Sequence, residues 1–195
     1  MYLNRLLLTL VACSTLLIGA CSQKDSPTAT TQPTKQEVSV DAVAAQAKGF
    51  TVGAFMSANT VYVFFDPQCP HCGHLWQASV PLHKKIKFVW VPVAWINASS
   101  LPQGAALLTA ANPLELMTEH EASLLSGKGG ISAPASITPE IEKSIKANTA
   151  LLNSFGAESV PYVVAKNART GQTVSRNGAM STAALAEFVG VDATP

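Results

Sequence analysis

Charge is scarce in this chain: only 13% of its 195 residues are Asp, Glu, Lys or Arg, against 48% apolar ones. Arg5 is the sole charged residue among the first 21, so the rest balances at twelve basic and twelve acidic side chains. That balance argues against a nucleic-acid partner, whose phosphates call for a basic stripe. The small cluster Lys84, Lys85 and Lys87 reads as a solvated helix end. Long apolar runs are also missing. Leu6 to Ile18 is unbroken but thirteen residues long, short of the ~20 that a membrane-spanning helix needs. Cysteine is rare too, at four residues, which excludes a disulfide framework spread along the chain. No internal repeat is visible.

What is present begins with a leader. The run from Leu6 to Ile18 behind Arg5 fits a signal-peptide core. It ends in Ile18-Gly19-Ala20-Cys21, which resembles a bacterial lipobox. That resemblance implies cleavage before Cys21 and lipid on its sulfur and amine; plain secretion with a chance cysteine is the alternative. Residues 22–36 are polar or small, with four threonines and no aliphatic side chain larger than alanine. Such a stretch buries too little to offset the entropy of ordering and reads as a tether. The expected layout is a lipoprotein-type signal peptide over 1–20, a tether with lipidated Cys21 over 21–37, and one folded domain over 38–195.

Within that domain Ser39 caps a helix through Lys48. Thr60 to Phe65 is β-branched and aromatic throughout, as a strand covered on both faces reads. Asp66-Pro67-Gln68 breaks it, and a helix starts near Pro70, a residue suited to a first turn. It runs on to Lys85 with a kink at Pro81. Lys87 to Trp95 is a second strand, and the middle third to about Phe155 is helical around a loop from Gly127 to Ala135. Val160–Lys166 and Gln172–Arg176 pair as a hairpin, and Ser181 caps a last helix stopped by Gly190.

Cys69 and Cys72 carry the chemistry. Cys13 leaves with the leader, so apart from Cys21 these two stand alone, and a pair so close staples almost no loop. Cys69 sits where a buried strand meets a helix start, and unpaired N–H groups with the positive end of the helix dipole stabilise a thiolate there. The thiolate is the nucleophile of disulfide exchange. Cys72 follows one turn later, close enough to resolve a mixed disulfide. His71 can donate a hydrogen bond or, protonated, a charge, and Pro70 presets the turn. A metal site built on Cys69, His71, Cys72 and His74 is the first alternative, but tetrahedral zinc gathers ligands from two segments, and His83 and His120 stand alone. A structural pair and a single-cysteine hydrolase are the others. Trp76, Trp90 and Trp95 read as core and rim aromatics, His74 as an exposed helix residue, and Glu115, Glu119 and Glu121 as a solvated helix face.

Strand, Cys-x-x-Cys, helix and a proline opening the penultimate hairpin (Ser159-Val160-Pro161-Tyr162) together resemble the thioredoxin-like proteins. The stretches Phe65 to Cys72, Leu75-Trp76-Gln77 and Ser154 to Ala157 are similar to the catalytic domain of the periplasmic DsbG and DsbC proteins. The resemblance implies an α/β thioredoxin-like fold with a helical insertion between the Cys-x-x-Cys helix/strand unit and a cis-proline hairpin. It implies that Pro161 is cis and faces Cys69, and that Val160 offers backbone hydrogen bonds to an extended substrate. Three departures stand out: only a tether precedes the first helix, where that branch carries a dimerisation domain; Pro70-His71 and Val160 look like DsbA; and Val63 occupies the place of a buried acid in thioredoxin and DsbA.

The expectation is a thiol:disulfide oxidoreductase with catalytic Cys69, Cys72, His71 and Pro70 and substrate-binding Val160 and Pro161, needing no metal and no cofactor. It is expected to be a periplasmic, lipid-anchored monomer that acts on cysteine-containing exported proteins and is served by a DsbB- or DsbD-like membrane redox partner. The direction expected is oxidising, nearer DsbA, whose attacking thiol ionises at ~3.5, than thioredoxin at ~7. A DsbG-like reductase of oxidised or sulfenylated cysteines is the alternative, and a copper metallochaperone on the same scaffold is the more distant one. If the lipobox works, fatty-acid labelling marks the protein and Cys21→Ser abolishes the label; unlabelled, freely soluble wild type would refute the anchor.

Overall fold

The computed structural model describes residues 36–193; the leader, Cys21 and the tether up to residue 35 lie outside the described residues. Chain order is α1 (Val40–Gln46), β1 (Phe50–Gly53), β2 (Thr60–Phe65), α2 (Pro70–Ser79), β3 (Lys87–Pro92), α3 (Ser100–Leu108), α4 (Pro113–Leu125), α5 (Pro139–Ser154), β4 (Tyr162–Lys166), β5 (Thr173–Asn177) and α6 (Thr182–Val189). The strands form one sheet in the order β1-β3-β2-β4-β5. β2 and β3 are parallel, pairing Thr60 with Lys87 through Phe65 with Pro92. Parallel neighbours need a crossover, and α2 supplies it. The other pairings are antiparallel, and β4–β5 is the expected hairpin.

Successive strand residues face opposite sides of a sheet, and Phe64 and Phe65 show both layers. Phe65 packs edge-on against Phe50 and Trp90, and Trp90 against Trp76 of α2, with ring centroids 5.1 to 5.9 Å apart. Phe64 turns the other way, onto Phe155 at the end of α5 and onto Tyr162. Helices therefore cover both faces, which is why β2 and β4 carry almost unbroken apolar sequences.

Three boundaries differ from expectation, each with a local cause. β1 was not anticipated; it is four residues long and has too few positions to show a period. The helix after Cys69 stops at Ser79 and tightens into a 3₁₀ turn over Val80–Leu82, because Pro81 has no N–H for the helical ladder. β3 stops at Pro92 because the next amides are claimed elsewhere: Ala94 N–H donates to Thr149 Oγ1, and Trp95 and Ile96 N–H both donate to Asp66.

Buried Asn148 of α5 ties the layers together. Its Oδ1 accepts from Lys48 N–H at 2.9 Å, and its Nδ2 donates to the carbonyls of Lys48 at 2.8 Å and Pro92 at 2.9 Å. Asn148→Leu fills similar space but strands those groups, and should cost about 2–3 kcal/mol, read as a lower midpoint of urea unfolding.

Candidate active site

Cys69 is the N-cap of α2 with extended backbone (φ −100°, ψ 108°), and Pro70 opens the helix. The β-region cap and a proline whose missing N–H costs nothing there are what the local sequence dictates. The two sulfurs are not equivalent: Cys69 keeps 4% of its surface exposed and Cys72 none. Cys69 Sγ lies 3.4 Å from the Val160 carbonyl oxygen, to which the thiol donates. The Val160–Pro161 peptide is cis, and the hairpin entry lies against the Cys69 sulfur across 91 residues of chain.

The Cys69 thiol is lowered to about 7, first by a hydrogen bond from the Cys72 side chain and further by the N–H groups of Cys72 and His71. Burial and the Asp66 charge act against this. Cys72 is pushed well up, chiefly by burial, since a dry site disfavours the charged form. His71 thus contributes its backbone N–H; its ring points to solvent, 6.3 Å from that of His74.

The loop before Cys69 is clamped from several sides. Asp66, fully buried, accepts from Gln68 N–H (2.8 Å), Ser100 Oγ (2.7 Å), Trp95 N–H (2.6 Å) and Ile96 N–H (2.9 Å). His120 of α4, also fully buried, lies 2.7 Å from the Pro67 carbonyl through Nε2, while its Nδ1 accepts from Ile131 N–H. An accepting Nδ1 leaves the proton on Nε2, so the ring is the neutral tautomer, and burial lowers its pKa. Gln103 of α3 donates to the carbonyls of Gly129 (2.8 Å) and Ile131 (2.9 Å) and accepts from Gln68. The helical insertion is therefore the wall of the site.

One expectation is overturned here. Glu115 and Glu119 are exposed, but Glu121 is 1% exposed and lies against α2. It follows Met117 at i+4 and His120 at i+1, and these three make the buried stripe of α4. A Cβ at Gly73 would lie 2.6 Å from Glu121 Oε2, so only glycine leaves room for the carboxyl there. Burial, with the Cys69 charge adding to it, pushes Glu121 up to about 9. His120 likewise does not stand alone, although its partners are backbone groups. Sequence reading missed Asp66, Gln103, His120 and Glu121 as parts of the site. The stripe Met117, His120, Glu121 at helical spacing was the available signal. Trp76 and Trp90 are buried and Trp95 lies at the rim.

This fold, with a Cys-x-x-Cys pair at a helix start facing a cis-proline, defines a thioredoxin-fold protein. Within that class its relatives are proteins named thiol:disulfide interchange protein DsbG. The protein of that name from Pseudomonas aeruginosa is 32% identical over 133 residues, 67% of this chain and 50% of the relative. The one from Escherichia coli K12 is 32% identical over 105 residues, 53% of this chain and 42% of the relative. The chain thus spans about half the length of the curated relatives it matches. No family model matches it. Among solved structures, a periplasmic thioredoxin-like protein from Salmonella enterica serovar Typhimurium superposes with TM-score 0.62 at 17% identity, over 79% of this chain and 97% of the other. The thiol-disulfide exchange protein alpha-DsbA2 from Wolbachia pipientis gives 0.59 at 19% identity, over 77% and 91%.

Because the thiolate is the reactive form, alkylation of Cys69 by iodoacetamide should rise with pH, with its midpoint at about 7, and level off above it. Mass spectrometry should find Cys72 unmodified over the same range; equal labelling of both would contradict this ordering.

Proposed function

We propose that the chain is a thiol:disulfide oxidoreductase acting as a monomer on cysteines of exported proteins, with Cys69 as the attacking sulfur and Cys72 as the resolving one. The observation that carries this reading is the asymmetry of the pair: Cys69 at the helix N-cap keeps 4% of its surface exposed and is acidified, while Cys72, one turn on, has no exposed surface and a raised pKa. In the reducing direction the Cys69 thiolate attacks a client disulfide, forms a mixed disulfide and expels one client thiolate. Cys72 then attacks Cys69 Sγ, closes the Cys69–Cys72 disulfide and releases the second client thiolate. Oxidation is the same path reversed. Val160 and Pro161 border the attacked sulfur and would hold the client chain beside it.

Direction turns on thiolate stability. A thiol near 7 gains little at neutral pH and is well matched for attack, since the best attacking thiol ionises near ambient pH. The value of about 7 at Cys69 lies nearer the ~7 of thioredoxin than the ~3.5 of DsbA, which favours the reductase reading. The oxidising reading rests on the DsbA-like Pro70-His71. Its hold on the thiolate is lessened because the His71 ring faces solvent. The copper-carrying reading has no specific observation in its favour. The proposed address is the periplasm, with lipid at Cys21 holding the chain to a membrane and a DsbB- or DsbD-like membrane protein resetting the pair. Support comes from the leader pattern and from likeness to a periplasmic thioredoxin-like protein.

In cells, Cys72→Ser should accumulate mixed disulfides through Cys69, and Cys69→Ser should form none; the converse pattern reverses the roles. A glutathione titration of wild type then sets the direction: a potential below about −220 mV marks a reductant, and one near about −120 mV an oxidant.

A further inference from the structure

Exchange at this pair moves protons as well as electrons, and the scheme above leaves them unassigned. Cys72 has no exposed surface, so when the disulfide opens, its sulfur emerges as an anion where burial disfavours charge. Bulk water has no direct access to it. Glu121 is the buried carboxyl group beside that turn of helix. It is 1% exposed, and neither of its carboxyl oxygens has a hydrogen-bond partner among the described residues. Gly73, the residue immediately after Cys72, makes room for it.

Among the described residues the carboxyl takes part in no ion pair. The elements packed most closely on α4 are α2, α3 and β1. Neither α3 nor β1 contains a titratable residue. α2 brings Cys72, its cap Cys69, and the solvent-facing His71 and His74. His120, adjacent on α4, is committed to Pro67 and Ile131. A buried carboxyl without partners is tolerated when it is neutral. A neutral acid packed on Gly73, one residue along the helix from a thiol that must alternately gain and lose a proton, is placed to trade one with it through an intervening water.

We propose that Glu121 is the proton-exchange partner of Cys72, a role that rests on the exchange reading above. When a client thiolate attacks Cys69 Sγ, the Cys69–Cys72 bond breaks, its electron pair stays on Cys72 Sγ, and the carboxyl proton of Glu121 passes to that sulfur. The carboxyl oxygens are buried at rest, so the carboxylate regains its proton from solvent during transient local opening of α4 against α2. In the reverse direction Cys72 gives its proton to the carboxylate, and its electron pair closes the bond to Cys69 while the client sulfur leaves. Glu121 at about 9 is far closer to the raised Cys72 thiol than an ordinary carboxyl would be. Such matching is what makes transfer in either direction accessible.

The test is the rate at which reduced glutathione opens the Cys69–Cys72 disulfide of the intact protein, compared with Glu121→Gln, which keeps the shape and removes the transferable proton. At neutral pH the variant should be slower by roughly 10²-fold, the lower range for a positioned acid. Wild-type rate per glutathione thiolate should fall as pH rises past about 9, and the variant should be flat there. Equal rates and equal profiles overturn the proposal and leave the exchange reading standing; a wild type that exchanges with no thiol overturns both. Redox-difference infrared spectroscopy of wild type gives a reading that does not depend on the variant folding. A protonated-carboxyl band that shifts with the state of the pair supports the assignment, and a difference spectrum without one overturns it.

Discussion

Asp66 closes the end of β2 and sets where everything around the redox pair sits. Its buried side chain accepts four hydrogen bonds, three from backbone N–H groups and one from Ser100. Taking a carboxylate out of water is costly unless its acceptor sites are filled. The chain fills them by bending β3 away after Pro92 and by starting α3 at Ser100. The same group holds Gln68 N–H, one residue before Cys69. One side chain thus fixes the exit from the sheet, the entrance to the helical insertion and the approach to the helix cap.

With that corner fixed, the difference between the two sulfurs follows from depth. The first sits at the rim, where N–H groups converge; the second sits one turn inside, with no surface exposed. A single helix start therefore yields one thiol that ionises near neutrality and one that resists ionisation. The insertion adds a roof: His120 and Gln103 hold the loop around Gly129 and Ile131 against Pro67 and Gln68.

The strand Thr60–Phe65, the helix start at Pro70 and the closing helix from Thr182 to Gly190 are legible in the sequence. Burial on both sides, proline at a first turn, and a serine cap paired with a left-handed glycine each leave a local mark. The position of the redox pair is legible for the same reason. β1 and the ends of α4 are not, because their limits are set by partners far along the chain. The roof of the site is hidden for a related cause. Glutamate, histidine and glutamine on a helix read as polar surface until another helix is laid over them. Glu121 faces α2 only because Gly73 lets the two backbones approach, and neither position reveals the other.

That close approach ties two positions 48 residues apart into one unit of sequence change. A side chain at 73 would meet the carboxyl oxygen and Leu125, which lies 3.1 to 3.2 Å from the same point. It would therefore have to arrive with a smaller residue at 121, or with a helix pair that packs farther apart. Among sequences descended from a common ancestor, glycine at the one and glutamate at the other should be inherited together. Drift at 73 alone would be removed by selection for folding even where exchange itself were no longer needed.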